Sequence, residues 1–286
     1  MATNVTNVTN GNSDAKTARG GVDAIYARPR DYDLEHEGDE EDVRFYLELV
    51  RRLRPRRVLE LAAGSGRVTV PLAQAAAEQG FEVTGLEISG TMLAEAERKR
   101  AELSQREQRC VTFVPGDLLR WKAAEPFDLI ITPCASLAHL LTLEDQITAW
   151  RCAHDNLAPG GRFVVDLVMP NLLAYADSMQ TPPRTVLEID IDAEDPQTGD
   201  RLLRYKTTRY IPHEQRAEIR FLYDKLSGNA TVDRYISDFD SHVYYPREVE
   251  LLFRLTGFDV ESRYGDYQMR PLRGRSRAMI FTGVRR

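Results

Sequence analysis

The segment Val58–Arg67, with the sequence VLELAAGSGR, constrains the fold of this chain more than any other. Its first residues are typical of a buried strand, and two glycines, Gly64 and Gly66, follow before a helical pattern over 68–79. A strand that runs through a glycine turn into a helix brings backbone N–H groups close to a ligand. The segment therefore predicts a site for an adenosine-containing ligand at this turn.

The acid Glu87 ends the second predicted strand. It follows Gly66 by about 20 residues, the distance at which nucleotide-binding units place a carboxylate on the ribose hydroxyls. Ser89 is better placed than Glu87 to cap the following helix, which leaves the carboxylate for a ligand. The third glycine of the NAD fingerprint would fall on Thr69, and this mismatch favours S-adenosylmethionine over NAD.

Other predicted strands carry further polar candidates. Glu60, in the first strand, can accept a hydrogen bond from a turn N–H or from the ammonium group of the ligand. Asp117, in the turn after the third strand, can accept from the exocyclic amine of adenine, and Leu118 would add an apolar contact. Ser136 and His139 lie past the carboxyl end of the fourth strand, the edge where α/β sheets bind ligands, so they are candidates for the reaction site.

Composition and charge exclude several classes of function. The chain has 286 residues, 42% of them hydrophobic, and a net charge of −6 without a basic stripe, which argues against a nucleic-acid partner. It has no apolar run of about 18 residues and no apolar leader, so we expect neither a membrane span nor secretion. The cysteines Cys110, Cys134 and Cys152 form neither a zinc pattern nor a disulfide framework. We therefore expect a cytoplasmic monomer or homodimer without a metal site.

Strand and helix patterns alternate between residues 40 and 167, which predicts a parallel sheet with helices on both faces. The strands are expected at 57–61, 82–87, 111–114, 129–132 and 162–167. The helices are expected at 40–53, 68–79, 90–107, 118–124 and 143–156. Asp166, near the end of the fifth strand, would lie on the same edge as Ser136 and His139.

The pattern changes in the second half of the chain. Strand-like runs occupy 185–240, and 217–223 alternates between apolar and polar residues, which is typical of an antiparallel meander with one solvent-exposed face. A helix at 246–256 and strands at 258–264 and 277–284 follow. The predicted fold is α/β: a doubly wound, mostly parallel, seven-stranded Rossmann-like sheet with an antiparallel β-meander insert.

The chain is expected to divide into four segments. Residues 1–20 are polar and repetitive, so we expect them to be disordered. Residues 21–182 would form the cofactor-binding core. Residues 183–243 would form the antiparallel insert, as a lid or a subunit interface, and residues 244–286 would supply the helix and strands that complete the core sheet.

The order of these signatures over 40–170 resembles class I S-adenosylmethionine-dependent methyltransferases. The Tyr32–Asp33 pair and the run Ser136–Thr142 resemble bacterial small-molecule N-methyltransferases of the amino-sugar and glycine/sarcosine type. This resemblance implies an antiparallel seventh strand, like that at 277–284. The chain departs from the family at Ala62, where glycine is usual, and we expect a negative φ there because alanine avoids the left-handed region.

The resemblance implies that S-adenosyl-L-methionine is the cofactor and S-adenosyl-L-homocysteine the product. The cofactor-binding residues that it implies are Tyr32, Glu60, Ala62, Gly64, Gly66, Arg67, Glu87, Ile88, Met92, Asp117, Leu118 and Pro133. Met92 would pack either near the cofactor or in the core. Ser136 and His139 are the expected catalytic residues.

Methyl transfer from a sulfonium is an in-line displacement, so the protein must mainly align the acceptor and exclude water. An amine acceptor needs only to arrive unprotonated, which makes N-methylation of a small molecule our first expectation. O-methylation, with His139 as the base, is the alternative. Hypotheses of another class are an NAD-dependent oxidoreductase and a non-catalytic nucleotide-binding protein. The segment 26–32, the insert and the loop 264–270 could each cover the site.

Overall fold

The computed structural model describes residues 26–38 and 40–286, so the expected disorder over 1–20 lies outside the described residues. The strands are β1 Arg57–Leu61, β2 Glu82–Glu87, β3 Val111–Pro115, β4 Phe127–Thr132, β5 Leu157–Val168, β6 Glu188–Glu194, β7 Arg201–Ile211, β8 Arg216–Ser227, β9 Ala230–His242, β10 Phe258–Tyr264 and β11 Ala278–Arg285. They form a seven-stranded sheet in the order β10-β11-β5-β4-β1-β2-β3 and a four-stranded sheet in the order β6-β7-β8-β9. Strand β11 is antiparallel to both neighbours, and the predicted fold class is confirmed.

The helices lie mainly between the strands of the larger sheet. They are α1 Pro29–Glu35, α2 Glu41–Leu53, α3 Thr69–Gln79, α4 Gly90–Glu102, α5 Gln105–Gln108, α6 Leu143–Asn156, α7 Leu172–Ser178 and α8 Pro246–Leu255. The sequence did not predict α1 or α7. Across residues 26–38 and 40–286, no helix combines the length and the apolar character needed to cross a membrane.

Two helix predictions were wrong, and side-chain hydrogen bonds explain both. The stretch 90–107 is two helices because Ser104 begins α5 with a capping box, in which its hydroxyl accepts from the N–H of Glu107 and its own N–H donates to the Glu107 carboxylate at 2.7 Å. The stretch 118–124 is a turn rather than a helix. There the carboxylate of Asp117 accepts from the N–H of Leu119 at 2.9 Å, which stabilises the turn.

Strand β1 is central, with β2 on one side and β4 on the other, and Val58 and Leu59 are fully buried. Both faces of a sheet of this type are covered by helices, which is why its strands are apolar along their length. Helices α2 and α3 cover one face, while α6 and α8 cover the other with Trp150 and Phe253. The chain order reverses between β1 and β4, so their carboxyl ends form the switch point where such folds bind ligands.

The insert sheet packs one face against α1. Alternation along β8 buries Phe221 and Tyr223 and leaves Arg220 exposed, so the prediction of a meander with one solvent-exposed face is confirmed. From the buried face, the hydroxyl of Tyr235 donates to Asp31 of α1 at 2.7 Å. We call this buried face the inner face and the opposite one the outer face.

Candidate active site

The turn after β1 contains two left-handed glycines. Gly64 has a φ of 58° and Gly66 a φ of 78°, which favour glycine at both positions. A Cβ on Gly66 would lie 2.9 Å from the Phe113 ring, so this glycine also allows the turn to pack against β3. A Cβ on Gly64 would lie 3.9 Å from the terminal methyl of Met92, whose side chain is fully buried. Met92 is therefore a core residue that supports the floor of the turn.

The expected negative φ at Ala62 was wrong. Its φ is 56°, in the left-handed region that an alanine enters at a cost of about 1–2 kcal/mol. The neighbouring hydrogen bonds keep it there: the N–H of Ala63 donates to the carbonyl of Leu86 in β2 at 2.9 Å, and that of Gly66 donates to the carbonyl of Ala63 at 2.9 Å. The turn thus has the backbone geometry that glycine usually supplies, with alanine in its place.

Glu87 joins the end of β2 to the glycine turn. Its carboxylate accepts from the N–H of Gly64 and from that of Ser89, each at 2.7 Å, and the residue is only 6% exposed. Each oxygen retains acceptor capacity for a ligand hydroxyl. Ser89 caps α4 by accepting from the N–H of Met92, as predicted. Ile88, between Glu87 and Ser89, is 68% exposed and presents an apolar surface.

Glu60 is buried below the turn and is 2% exposed. Its partner is the hydroxyl of Thr69, at 2.5 Å, and not the turn N–H that the sequence suggested. Burial raises the pKa of Glu60 to about 8, although the Thr69 hydrogen bond and the nearby charge of Arg67 oppose that rise. A contact between Glu60 and a ligand ammonium group stays a prediction.

Arg67 is paired within the chain. Its guanidinium donates to both carboxylate oxygens of Asp42 in α2 and to the thiol of Cys134, at 2.7 Å from the sulfur. The buried Nε of Arg67 has no hydrogen-bond partner among the described residues. Most of the guanidinium is therefore used to join α2 to the turn, and a contact between Arg67 and the cofactor stays a prediction.

Asp117 and Leu118 follow β3 at the same edge of the sheet. The side chain of Asp117 is 25% exposed and holds the turn described above with one oxygen. Leu118 packs against the core cluster under α6. An adenine contact by either residue stays a prediction.

Ser136 and His139 form the ends of a 3-10 turn, Ser136–His139, just past β4. The hydroxyl of Ser136 donates to the carbonyl of Pro133 at 2.7 Å, so it stabilises the turn. The Nε2 of His139 lies 2.8 Å from the hydroxyl of Tyr26, and its buried Nδ1 has no partner in the described parts of the chain. Burial lowers the pKa of His139 to about 4, so the imidazole is neutral near pH 7.

Residues 58–161 match the family model described as a methyltransferase domain. Among curated proteins, YqeM of Bacillus subtilis, whose name assigns it provisionally to the methyltransferases, is 32% identical over 116 residues. The alignment covers 39% of this chain and 42% of that relative, so the chain spans less than half of the length of this relative. Residues 58–161 therefore carry a methyltransferase domain.

Solved methyltransferase structures share the fold over most of the chain. The CcbJ methyltransferase of Streptomyces caelestis has a TM-score of 0.69 at 25% identity, covering 86% of this chain and 96% of its own. The sugar N-methyltransferase KedS8 of Streptoalloteichus sp. has a TM-score of 0.65 at 19% identity, covering 100% and 99%. The amino pentose methyltransferase CalS10 of Micromonospora echinaspora, solved with S-adenosylmethionine bound, has a TM-score of 0.62 at 19% identity, covering 93% and 96%. At 19% identity the last two show the fold alone.

Further buried polar groups, which the sequence only partly indicated, lie outside residues 58–161. Asp166, at the end of β5, accepts from the hydroxyl of Tyr267 at 2.9 Å, and burial raises the pKa of Asp166 to about 7. The hydroxyl of Tyr46 is buried without a partner in the described residues. Asp166 and the loop 264–270 were predicted to lie at this edge, whereas Asp42 and Tyr46 were hidden in the apolar pattern of α2.

Helix α1 closes the methyltransferase domain over the glycine turn. Asp33 accepts from the hydroxyl of Ser65 at 2.5 Å and pairs with Lys99 of α4 at 2.7 Å. Tyr32 of the same helix packs edge-on against Tyr26, with ring centroids 6.0 Å apart. The segment 26–33 therefore contacts both the glycine turn and the Ser136–His139 turn. Coverage of a bound cofactor by this segment stays a prediction.

The insert reaches the same edge from the other side. The ring of Phe239 in β9 lies 5.7 Å from that of His139, and the hydroxyl of Tyr244 donates to the carbonyl of Leu137 at 3.2 Å. The space past the carboxyl ends of the core strands is thus bounded by α1 and by the inner face of the insert. Among residues 26–38 and 40–286, no group of three or more His, Cys, Asp and Glu side chains is arranged to hold a metal.

Proposed function

We propose that this protein transfers a methyl group from S-adenosylmethionine to an amine of a small-molecule acceptor. The observation that carries the proposal is the carboxylate of Glu87, fixed by the N–H groups of Gly64 and Ser89 at the switch point of the sheet. A carboxylate held in that place suits two ribose hydroxyls. The exposed apolar Ile88 suits the nucleoside beside it, and the free Nε of Arg67 suits a ligand carboxylate.

An amine acceptor is favoured by the electrostatics of the candidate transfer site. A hydroxyl acceptor needs a base whose pKa lies near the working pH, and His139, with a pKa of about 4, is a weak one. A neutral amine already carries the lone pair that displaces the methyl group. The sugar N-methyltransferase KedS8, which shares the fold, agrees with this choice.

The proposed cofactor brings an activated methyl group on sulfur. The tasks of this chain are then to bind, to orient and to exclude water. Glu87 would hold the ribose, Tyr26 and Tyr32 would close the site, and Phe239 would limit the acceptor on the insert side. In the transfer, the carbon–sulfur bond breaks as the nitrogen–carbon bond forms, and the resulting ammonium loses its proton to solvent. Alignment of this kind is worth roughly 7–11 kcal/mol.

The test is a screen of primary and secondary amines against alcohols of matched carbon skeleton, with S-adenosylhomocysteine as the readout. We expect turnover of at least one amine and none of its alcohol counterpart. Faster turnover of the alcohol would favour O-methylation with His139 as the base. Binding of S-adenosylhomocysteine without turnover across the panel would favour a non-catalytic binding protein.

A further inference from the structure

The outer face of the insert sheet carries an apolar row that crosses all four strands. The paired residues place Ile189 of β6 beside Tyr205 of β7, Tyr205 beside Leu222 of β8, and Leu222 beside Ile236 of β9. Ile189 is 57% exposed and Ile236 is 52% exposed. Contiguous apolar surface with a polar border is typical of an interaction site rather than of a solvated face.

Ion pairs border this row on both sides. On one side of the row, Arg220 lies two residues before Leu222 in β8 and pairs with Asp238 of β9 at 2.7 and 2.8 Å. On the other side, Asp224 lies two residues after Leu222 and pairs with Arg234 of β9 at 2.5 and 2.7 Å. Strand β8 therefore carries its cation on one side of the row and its anion on the other, and β9 carries them in the opposite order.

This order of charges makes the part of the outer face formed by β8 and β9 complementary to itself. Consider a twofold axis that lies above the outer face and runs parallel to the apolar row. This axis stacks each strand on the same strand of the second copy, and the two stacked strands run in opposite directions. Arg220 then faces Asp224 of the second copy, and Asp238 faces Arg234 of the second copy. Each border becomes a group of four charges of alternating sign, and the apolar row meets the same row. Isologous contacts of this kind are the usual basis of homodimers.

The size of the face is sufficient for a stable contact. Four strands of these lengths present a surface of roughly 19 Å by 35 Å, or about 650 Å². A standard interface buries roughly 600–1,000 Å² on each partner, so this face lies at the lower end of that range. Two such sheets also pack face to face with their strands within about 30° of each other, which the proposed axis permits.

The inner face of the insert already packs against α1, which leaves the outer face available for assembly. Arg204, Lys225 and Tyr235 of the inner face bind the acids of α1. From these observations we infer that the outer face of the insert is a homodimer interface in which a second copy of this chain is the partner. The inner face would then border the acceptor of each subunit while the outer face joins the two subunits. This inference does not depend on the proposed function.

The test reverses the charges of one border and keeps its ion pair. The double variant R220D/D238R retains the cross-strand pair and the net charge, but places like charges opposite Asp224 and Arg234 of the second copy. The side chains of Arg220 and Asp238 are 57% and 55% exposed, so the reversal leaves the buried core unchanged. The quadruple variant R220D/D224R/R234D/D238R reverses both borders and restores opposite charges across the interface.

The measurement is sedimentation velocity of the full chain over roughly 1 to 100 μM, with melting temperature as the check of folding. We expect a wild-type dimer of twice the 32.5 kDa chain. We expect R220D/D238R to dimerise about tenfold more weakly or worse, and the quadruple variant to recover. A monomeric wild type, or a dimer that ignores the charge reversal, would overturn the inference.

An apolar substitution provides an independent check. Ile236→Asp places a charge in the middle of the row and should give monomers at every concentration tested. Leu251→Asp, on the 63% exposed Leu251 of α8, is the matched control and should remain dimeric. If Ile236→Asp stays dimeric while Leu251→Asp dissociates, the dimer uses a different surface and the inference is wrong.

Discussion

Substitution of Glu87 tests the cofactor site most directly. In Glu87→Gln the side chain keeps its volume but exchanges one acceptor oxygen for an NH₂ group, which cannot accept. Either Gly64 or Ser89 then loses the acceptor that now lies 2.7 Å from its N–H. The carboxylate charge that would strengthen hydrogen bonds from the ribose hydroxyls is lost as well.

The size of both effects follows from these contacts. One buried N–H without an acceptor costs about 1–3 kcal/mol, so the free energy of unfolding should fall by that amount. The loss of hydrogen bonds from a ligand to a charged group costs about 1.5–3 kcal/mol. This second loss corresponds to binding of S-adenosylhomocysteine that is about 10- to 150-fold weaker.

Titration calorimetry with S-adenosylhomocysteine would measure the affinity, and urea unfolding would measure the stability. The matched control is Ser89→Ala, which removes the cap of α4 and should cost about 1 kcal/mol of stability with little loss of affinity. If Glu87→Gln is destabilised but binds S-adenosylhomocysteine as tightly as the wild type, Glu87 is only a structural acceptor. The assignment of the ribose to Glu87 would then be wrong.

Gly66→Ala should lower the free energy of unfolding by about 1–3 kcal/mol, because its Cβ would lie 2.9 Å from Phe113 on a backbone with a φ of 78°; an unchanged melting temperature would contradict that geometry. His139→Asn should leave turnover of an amine within about tenfold of the wild type, whereas a base for a hydroxyl acceptor would contribute about 100-fold or more; a larger loss with amines would assign proton transfer to His139. The free energy of unfolding of Asp166→Asn, relative to that of the wild type, should increase as the pH rises from about 4 to 7. In the wild type the Asp166 carboxyl loses its proton near pH 4 in the unfolded chain but only near pH 7 in the folded one, so the wild type loses stability over that range. Urea unfolding at the two ends of that range should show a gain of at most about 4 kcal/mol, and a difference that does not change with pH would contradict the raised pKa.

The features that the sequence predicted correctly are those that depend on residues close together in the chain. The strand and glycine turn at Val58–Arg67, the cap at Ser89 and the alternation in β8 each depend on residues a few positions apart. Their patterns are therefore visible in a short window. The split between α4 and α5 was missed, although Ser104 and Glu107 have the local spacing of a capping box.

The part that was not predicted depends on distant contacts. Arg67 reaches Asp42 across 25 positions and Cys134 across 67, and no local spacing identifies either partner. Helix α1 is stabilised by residues of the turn, of α4 and of the insert, so its own seven residues give little sign of it. The left-handed Ala62 likewise follows from hydrogen bonds to β2, which override the preference of the residue.

Helix α1 has a position that affects both sheets at once. Asp33 binds the glycine turn and α4, while Asp31 and Glu35 bind Lys225 and Arg204 of the insert. Acids at alternate positions of this short helix thus bind the core sheet side and the insert at the same time. A movement of the insert would therefore pull on the helix that covers the glycine turn, so α1 would couple the proposed acceptor side to the proposed cofactor side.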